Sequence, residues 1–195
     1  MARPRKFERE PMLNQALEVF WTKGYEATSV QDLVEALGVH PGTLYATFGD
    51  KHALFLEVLD HYKAAGQARF GAILRQPGSK RKAIEQFFEF TIDGLLSPTG
   101  KRGCLLGNTA VERSGCDAPA TARATHYHAW LEDTLYHALQ QAQTDGELPV
   151  RPPAELRTLA QFLNNNIQGM TIVARTSAGP QALRGIARLA LQALD

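Results

Sequence analysis

The stretch "TSVQDLVEALGVHPGTLYATFGDK", from Thr28 to Lys51, carries the strongest structural signal in the sequence. Its first half repeats apolar residues at the spacing of one helix face, namely Val30, Leu33, Val34 and Leu37. Thr28 or Ser29 can cap this helix, and Gly38 supplies the left-handed turn that ends it. A second short helix is predicted from about Pro41 to Phe48, with the proline in the first turn, where its missing N–H costs little.

The second of these helices has two faces. Leu44 and Phe48 lie one turn apart and can anchor it to an apolar core. Two short helices joined by a tight, glycine-containing turn form a helix-turn-helix, in which the second helix enters the major groove of DNA. Such a helix needs small residues at its N-terminus, and the letters "HPGT" at 40–43 provide them. A helix N-terminus also presents free N–H groups and a partial positive charge to phosphates. The stretch therefore predicts binding to double-stranded DNA.

Individual residues of the stretch have both a DNA-binding and a structural interpretation. Thr43 can hydrogen-bond a base edge or a phosphate, and its methyl group can meet a thymine methyl. Tyr45 offers a hydroxyl on a rigid arm, and Lys51 places a charge at the start of the next helix. Thr28 and Gln31 are placed to touch the DNA backbone. Taken alone, Thr28 can be a helix cap, Tyr45 a half-buried core residue and Lys51 a solvated charge, but together and in this order they favour DNA binding.

The net charge of +1 is unevenly distributed along the chain. Residues 1–9 carry four basic side chains (Arg3, Arg5, Lys6 and Arg9) against one acidic side chain, Glu8. Residues 10–51 carry two basic and six acidic side chains. A short basic arm suits contact with a DNA groove or with phosphates, although a solvated terminus has the same charge.

Composition bounds the class of protein. With 195 residues, 44% apolar and 21% charged, the chain has an ordinary globular composition. No apolar run approaches the ~20 residues that span a bilayer, and "MARPRKFERE" has no apolar stretch after its positive charge, so we expect neither a membrane segment nor a secretory signal. Two cysteines are too few for a disulfide scaffold. We therefore expect a cytoplasmic protein.

The rest of the chain has the apolar period of helices. We predict an all-α fold of about nine helices, without a convincing strand. A helix from about 51 to 75 follows the stretch above. Further helices are predicted at about 83–96, 103–114, 118–144, 154–177 and 181–194.

The segment "FWTKGYEATSVQDLVEALGVHPGTLYATFGDKHALFLEVL" resembles the DNA-binding region of the TetR/AcrR family of bacterial transcriptional regulators. The match is continuous over about residues 9–60. It includes the Thr-Ser start of the second helix, "GV" in the turn, "GTLY" in the recognition helix and "FGDKHALF" after it. The resemblance implies a homodimer with a helix-turn-helix domain at 1–50 and an effector-binding and dimerisation domain at 51–195. The helix at about 51–75 would link the two.

The resemblance also implies particular DNA contacts. The recognition-helix contacts carry over to His40, Pro41, Gly42, Thr43, Tyr45 and Thr47, and the supporting phosphate contacts to Thr28, Gln31 and Lys51. Position 47 is often histidine in the family and is threonine here, which leaves the operator sequence open. The last two helices of the family pair with those of a second subunit in a four-helix bundle.

The last two predicted helices have broad apolar faces of their own. Their apolar residues are Ala160, Phe162, Leu163, Ile167, Met170, Ile172, Leu183, Ile186, Leu189, Ala190 and Leu194. Leaving such faces in water costs ~25 cal/mol per Å² of apolar surface. Homodimerisation would cover them and would match the two-fold symmetry of half-site recognition. The alternative is burial entirely within one subunit.

The stretch "KRGCLLGNTAVE" (101–112) contains a cysteine with two interpretations. Cys104 falls near a helix N-terminus beside Lys101 and Arg102, and both features would lower the pKa of its thiol. A similar stretch occurs in a branch of the family that includes electrophile and oxidant sensors, so modification of Cys104 could release DNA. The alternative is a buried small hydrophobe. A disulfide to Cys116 is disfavoured, because twelve helical residues span ~18 Å.

A pocket for a small apolar or aromatic effector is predicted in the C-terminal part. Its candidate lining is Phe87, Phe88, Phe90, Leu106, Tyr127, Trp130, Phe162, Asn166 and Met170. For each of these residues, plain core packing is the alternative. His126 and His128 point about 200° apart on a helix, so they do not predict a metal site, and we expect neither a metal nor another cofactor.

Other classes of function find less support. There is no glycine-rich phosphate loop, nucleophile elbow or paired-carboxylate site, so we do not expect an enzyme. A helical adaptor for protein partners would not need the basic arm or the "HPGT" helix start. The prediction is a repressor that leaves its operator when a small molecule binds the C-terminal core and tilts the linking helix. The alternative is a thiol-based sensor acting through Cys104.

Overall fold

The structure, a computed structural model, describes residues 9–176 and 179–195. Within these ranges it contains helices and loops but no strand. The helices are α1 (Arg9–Lys23), α2 (Val30–Leu37), α3 (Pro41–Phe48), α4 (Lys51–Arg75), α5 (Lys80–Leu96), α6 (Leu105–Arg113), α7 (Ala118–Thr144), α8 (Pro153–Ala174) and α9 (Pro180–Gln192). The predicted all-α fold is confirmed.

Helix ends differ from the prediction where local turns intervene. The helix expected from 103 begins instead at Leu105, because Gly100–Arg102 forms a 3₁₀ turn and Gly103 takes a positive φ of 70°. α8 ends at Ala174, and Ser177, the predicted end, lies outside the described residues. None of the helices in the described ranges is long and apolar enough to cross a membrane.

The start of α2 is fixed by reciprocal hydrogen bonds. The Asp32 N–H donates to Oγ of Ser29 at 3.1 Å, and the Ser29 N–H donates to Oδ2 of Asp32 at 2.9 Å. This capping box satisfies two amide groups that a helix start otherwise leaves free. Ser29 is therefore the cap, and Gly38 ends the helix in the left-handed conformation at φ 62°. The left-handed turn at Gly38 redirects the chain towards α3.

One buried group, the N-terminal cluster, holds α1, α2 and α3 to the first half of α4. It consists of Met12, Ala16, Phe20, Leu33, Val34, Leu37, Leu44, Phe48, Leu54, Phe55, Val58, Leu59, Leu105, Leu106, Ala120, Ala124 and Tyr127. The last five come from α6 and α7. The N-terminal bundle thus packs directly on the following helices, and no break in packing coincides with residue 50.

A second buried group, the C-terminal cluster, joins the end of α4 to α5, α7, α8 and α9. Its largest fully buried members are Leu74, Ile84, Phe87, Phe88 and Ile92. α4 is 25 residues long and contributes to both clusters. α7 also contributes to both clusters, so α4 and α7 are rigid elements that the two groups of helices share.

Candidate DNA-binding face and effector cavity

α3 separates its buried and exposed residues by face. Leu44 and Phe48 are buried in the N-terminal cluster, as the one-turn spacing predicted. Tyr45, in contrast, is 46% exposed, so the core interpretation of this residue is wrong. His40, Pro41 and Gly42 are exposed, and Thr43 and Thr47 are half-buried, with the Thr47 hydroxyl donating to the Thr43 carbonyl at 2.7 Å. The candidate reading face is thus a continuous strip of polar, small and aromatic side chains.

The start of α3 is open to close approach from outside. Pro41 occupies the first helical position, and the Thr43 and Leu44 amides both donate to the carbonyl of His40. A Cβ added at Gly42 would meet no atom of the described chain within 4 Å, and Gly42 is absent from the residues with positive φ. Neither packing nor backbone conformation therefore requires glycine at this position. A surface that approaches from outside the chain would require it.

The three predicted phosphate contacts have different surroundings. The Thr28 side chain is 1% exposed and its hydroxyl donates to the Gly24 carbonyl at 2.6 Å, so the structure contradicts an outward contact from it. Gln31 is exposed and donates to Glu35 at 2.7 Å. The Lys51 ammonium lies 4.3 Å from the ring centroid of Tyr25, a cation–π contact that holds the charge at the start of α4.

The basic arm is described only at its end. Arg3, Arg5 and Lys6 lie outside the described residues. Arg9 donates to the Thr47 carbonyl at 2.9 Å and forms an ion pair with Glu57 at 2.5 Å. Arg9 thereby ties the start of α1 to the last turn of α3. In the sequence Arg9 appears only as part of the basic arm, because no short-range pattern indicates a partner 48 residues away.

A cavity of about 250 Å³ lies between the two groups of helices. Its wall combines aromatic rings with a few polar groups, and the aromatic and polar side chains are Trp21, Tyr62, Arg69, Phe70, Phe90, Thr91, Ser97, Thr99, Cys104, Tyr127, Gln168 and Thr171. α1, α4, α5, α7 and α8 all contribute, together with the loop before α6. A partly open, mainly apolar space with convergent polar groups is suited to a small aromatic or apolar ligand.

Most of the predicted pocket residues lie elsewhere. Of the set above, Tyr127 and Phe90 line this cavity. Phe87, Phe88, Leu106 and Met170 do not line it, because they are fully buried in the packing of the two core clusters. Phe162 is 44% exposed on the outer side of α8, and the Asn166 amide donates to its carbonyl at 2.8 Å. Trp130 packs at the edges of both clusters.

Cys104 lies in the cavity wall, but its thiol is not activated. It is the N-cap of α6, and its Sγ accepts the Gly107 N–H at 3.4 Å. Burial raises the pKa of the Cys104 thiol, so the predicted lowering is wrong. The neighbouring Arg102 forms an ion pair with Glu18 at 2.6 Å, and its guanidinium makes a cation–π contact with the ring of Trp21. Cys104 and Cys116 are both free cysteines.

Comparison with known proteins gives a consistent result. Residues 12–58 match a model described as "Bacterial regulatory proteins, tetR family", and residues 81–190 match "Tetracyclin repressor-like, C-terminal domain". The chain is 37% identical over 191 residues to the HTH-type transcriptional repressor ComR of Escherichia coli, covering 97% of this chain and 90% of that one. It is 32% identical over 195 residues to the HTH-type transcriptional regulator YezE of Bacillus subtilis, covering 100% of both.

A solved structure is similar over the whole length. A cysteine mutant of the TetR family transcriptional regulator CifR, complexed with 26-base-pair double-strand operator DNA, superposes with a TM-score of 0.87. It is 28% identical, and the match covers 99% of this chain and 100% of that one.

Proposed function

This chain belongs to the tetR family of bacterial regulatory proteins and is a DNA-binding transcriptional regulator, and we propose that it is a repressor that releases its operator when a small molecule occupies the cavity. The observation that carries the proposal is the cavity wall. Trp21 belongs to α1 of the helix-turn-helix bundle, and Tyr62 and Phe70 belong to α4, which begins beside the recognition helix. A ligand in this cavity therefore touches the elements that position the DNA-binding face.

The DNA-binding part of the proposal assigns α3 to the major groove. Tyr45, Thr43 and the exposed start of the helix at His40–Gly42 contact base edges and phosphates, with Thr47 at the end of the strip. Gln31 and Lys51 contact the backbone on either side. Arg3, Arg5 and Lys6 reach the groove or phosphates next to the recognition helix. This assigns residues 1–50 to DNA binding and 51–195 to effector binding and dimerisation.

We further propose that the protein is a homodimer through α8 and α9. Large apolar side chains are exposed on both helices, with Ile172 at 60% and Leu189 at 63%. A second copy would cover them and place two recognition helices ~34–36 Å apart, the spacing of successive major grooves. An L189E variant is expected to sediment as a monomer, while V150E, at an exposed loop valine, stays dimeric. A monomeric wild-type chain, or a dimeric L189E, would contradict this interface.

The regulatory part of the proposal requires that the effector bind two conformations of the protein with unequal affinity. An aromatic or apolar effector that fits the cavity best when α4 is tilted shifts the dimer away from the spacing that DNA requires. Two full-length relatives, ComR and BdcR of Escherichia coli, are named transcriptional repressors, which supports repression over activation. The protein acts in the cytoplasm, where its DNA lies.

Selection from a random DNA pool tests the proposal. The purified full chain is expected to enrich a near-palindrome whose half-site centres lie one helical turn, ~10–10.5 base pairs, or a multiple of it apart. Aromatic and apolar compounds are then screened for a rise in melting temperature. A compound that binds is expected to lower operator affinity; binding that leaves operator affinity unchanged would refute the ligand-responsive part.

Thiol sensing through Cys104 is the second candidate. The observation in its favour is the position of Cys104 in the cavity wall, where a reactive molecule would meet it. The raised pKa of the thiol disfavours rapid attack, because the thiolate is the nucleophile. Operator affinity of the C104S variant is measured with and without peroxide or a quinone. A response equal to that of the wild type would remove this candidate.

A further inference from the structure

The end of α6 is fastened to the turn that joins α1 to α2 by one carboxylate. Oε2 of Glu112 accepts the Tyr25 N–H at 3.1 Å, and Oε1 accepts the Glu26 N–H at 2.9 Å. A Cβ built on Gly24, whose φ is 81°, would lie 3.2 Å from both oxygens, so the carboxylate packs against the backbone itself. We propose that Glu112 is a positioning residue that holds the helix-turn-helix at a fixed orientation to the core and thereby sets operator affinity.

The neighbouring arginine strengthens the same attachment. Arg113 forms an ion pair with Glu26 and lies 3.4 Å from Oδ2 of Asp117. Its guanidinium is also 4.5 Å from the ring centroid of Tyr25. The turn is thus held through two backbone amides, one carboxylate and one aromatic ring. We name this group, Glu112 and Arg113 on Tyr25 and Glu26, the α6 clamp.

The α6 clamp reaches a side chain of the DNA-binding face. The Tyr25 ring contacts Arg113 and also Lys51, whose ammonium is 4.3 Å from the centroid. His52, next to Lys51, bonds Oδ2 of Asp117 at 2.9 Å. The position of the Lys51 charge therefore depends on the Tyr25 ring that the clamp holds. This matters for DNA binding because Lys51 is a proposed phosphate contact. The inference therefore rests on the proposed function.

The other end of α6 starts at the cavity. Gly103 and Cys104 line it, and the carbonyl of Gly103 accepts the Trp21 indole N–H at 3.0 Å. α6 is nine residues long, so it connects the cavity wall to the clamp as one short rigid element. A displacement at its start moves the Glu112 carboxylate relative to the α1–α2 turn. This gives the cavity a connection to the helix-turn-helix that does not pass through α4.

The geometry also indicates the most informative substitution. Each carboxylate oxygen accepts one amide, and hydrogen bonds to a charged acceptor are about twice as strong as neutral ones. Glutamine keeps the size of the side chain but has one acceptor, and its NH₂ would face a second N–H donor. E112Q therefore opens the clamp without leaving a hole. E85Q removes the same charge from α5, where, within the part of the chain that the structure describes, Glu85 pairs with Arg81 one turn away, and it is the matched control.

The test combines operator binding with amide exchange on the full-length protein. Affinity for the selected operator is measured by fluorescence anisotropy well below the melting temperature, with the active fraction fixed by stoichiometric titration. E112Q is expected to bind about tenfold more weakly, the ratio that the loss of one charged hydrogen bond produces. Hydrogen exchange at the Tyr25 and Glu26 amides is expected to accelerate. E85Q is expected to match the wild type in both measurements.

Two results would overturn the proposal. Wild-type exchange rates at Tyr25 and Glu26 in E112Q would show that no clamp exists. Faster exchange with wild-type operator affinity would show that the carboxylate holds the turn without positioning the helix-turn-helix. If E112Q does not fold, E112D takes its place in the same two measurements. Its shorter side chain is expected to give a smaller loss of operator affinity and a smaller acceleration of amide exchange. Failure of the wild type to select any operator refutes the proposed function instead, while the exchange measurement still decides whether the clamp exists.

Discussion

The candidate reading face comes from a single eight-residue helix, α3, whereas the cavity takes its wall from α1, α4, α5, α7, α8 and the loop before α6. The reading face depends on residues three and four positions apart in one helix. The cavity depends on how helices that are distant in sequence pack and are rotated against one another. Substitutions in α3 should therefore separate folding from DNA binding residue by residue. Substitutions in the cavity should change how strongly the protein responds to a ligand.

The largest expected effect is on the buried side of α3. Leu44 is fully buried in the N-terminal cluster, and Leu44→Ala should lower the free energy of unfolding by about 2–5 kcal/mol, the usual range for a core leucine. Urea unfolding followed by circular dichroism measures the change. Glu35→Ala, at an exposed position of α2, should stay within about 0.5 kcal/mol of the wild type. An L44A variant as stable as E35A would show that α3 is not anchored by this residue.

A substitution at the start of α3 should lower operator affinity without lowering stability. Gly42→Ala places a methyl group in space that the described chain leaves empty, so the melting temperature should be unchanged or slightly higher. Operator affinity should fall about tenfold if DNA approaches the backbone there, because one good contact to DNA is worth ~1–3 kcal/mol. Anisotropy titration measures the affinity. Wild-type affinity in G42A would place the start of α3 away from DNA.

On the cavity side, Gly94 offers a place to insert volume. It lines the cavity, and a Cβ added there would meet no atom of the described chain within 4 Å. Gly94→Leu should keep operator affinity, while a compound that releases the wild type should be needed at several-fold higher concentration, because leucine adds four carbon atoms and even one methylene alters binding by ~1–3 kcal/mol. Asp93→Ala, its exposed neighbour, is the control. Equal dose–response curves for G94L and wild type would remove this cavity as the effector site.

The smallest effect concerns the cap of α2 and depends on pH. The hydrogen bond from Lys23, 2.6 Å away, and the Ser29 donors hold the pKa of Asp32 at about 2, below its ordinary 3.8. A carboxylate with a lowered pKa in the folded state stabilises the protein above its unfolded pKa and loses that contribution as pH falls. Asp32→Asn should therefore be less stable than the wild type at pH 7. The gap, measured by urea unfolding, should narrow between about pH 4 and pH 2; a gap that stays constant would exclude this role.

The difference between the two regions also explains what could be predicted from the sequence. Caps, glycine turns and the spacing of Leu44 and Phe48 are local, so the helix-turn-helix and its exposed face follow from short-range rules. α5 carries Phe87, Phe88 and Phe90 close together, and only its rotation against α4 decides that Phe90 lines the cavity while the other two are core. Likewise, Cys104 has the local features of a reactive thiol, yet burial reverses the direction of its pKa shift. Long-range packing leaves no short-range pattern.

The connection between the regions was the least visible from sequence. Arg9 with Glu57, Trp21 with Gly103, and Glu112 with the α1–α2 turn all join residues more than forty positions apart. A single glutamate in α6 has no local signature that distinguishes it from a solvated charge. Its role depends on a turn from another part of the chain arriving with two amides directed at it.

The central claim is that the exposed face of α3 binds operator DNA, and Tyr45→Ala tests it most directly. Tyr45 is 46% exposed and lies next to the buried Leu44, so its removal should leave the melting temperature within about 2 °C of the wild type, as expected of a surface substitution. Affinity for the selected operator, measured by anisotropy at fixed salt, should fall roughly tenfold to a hundredfold. Full operator affinity in a folded Y45A variant would contradict the proposed docking of α3 in the major groove.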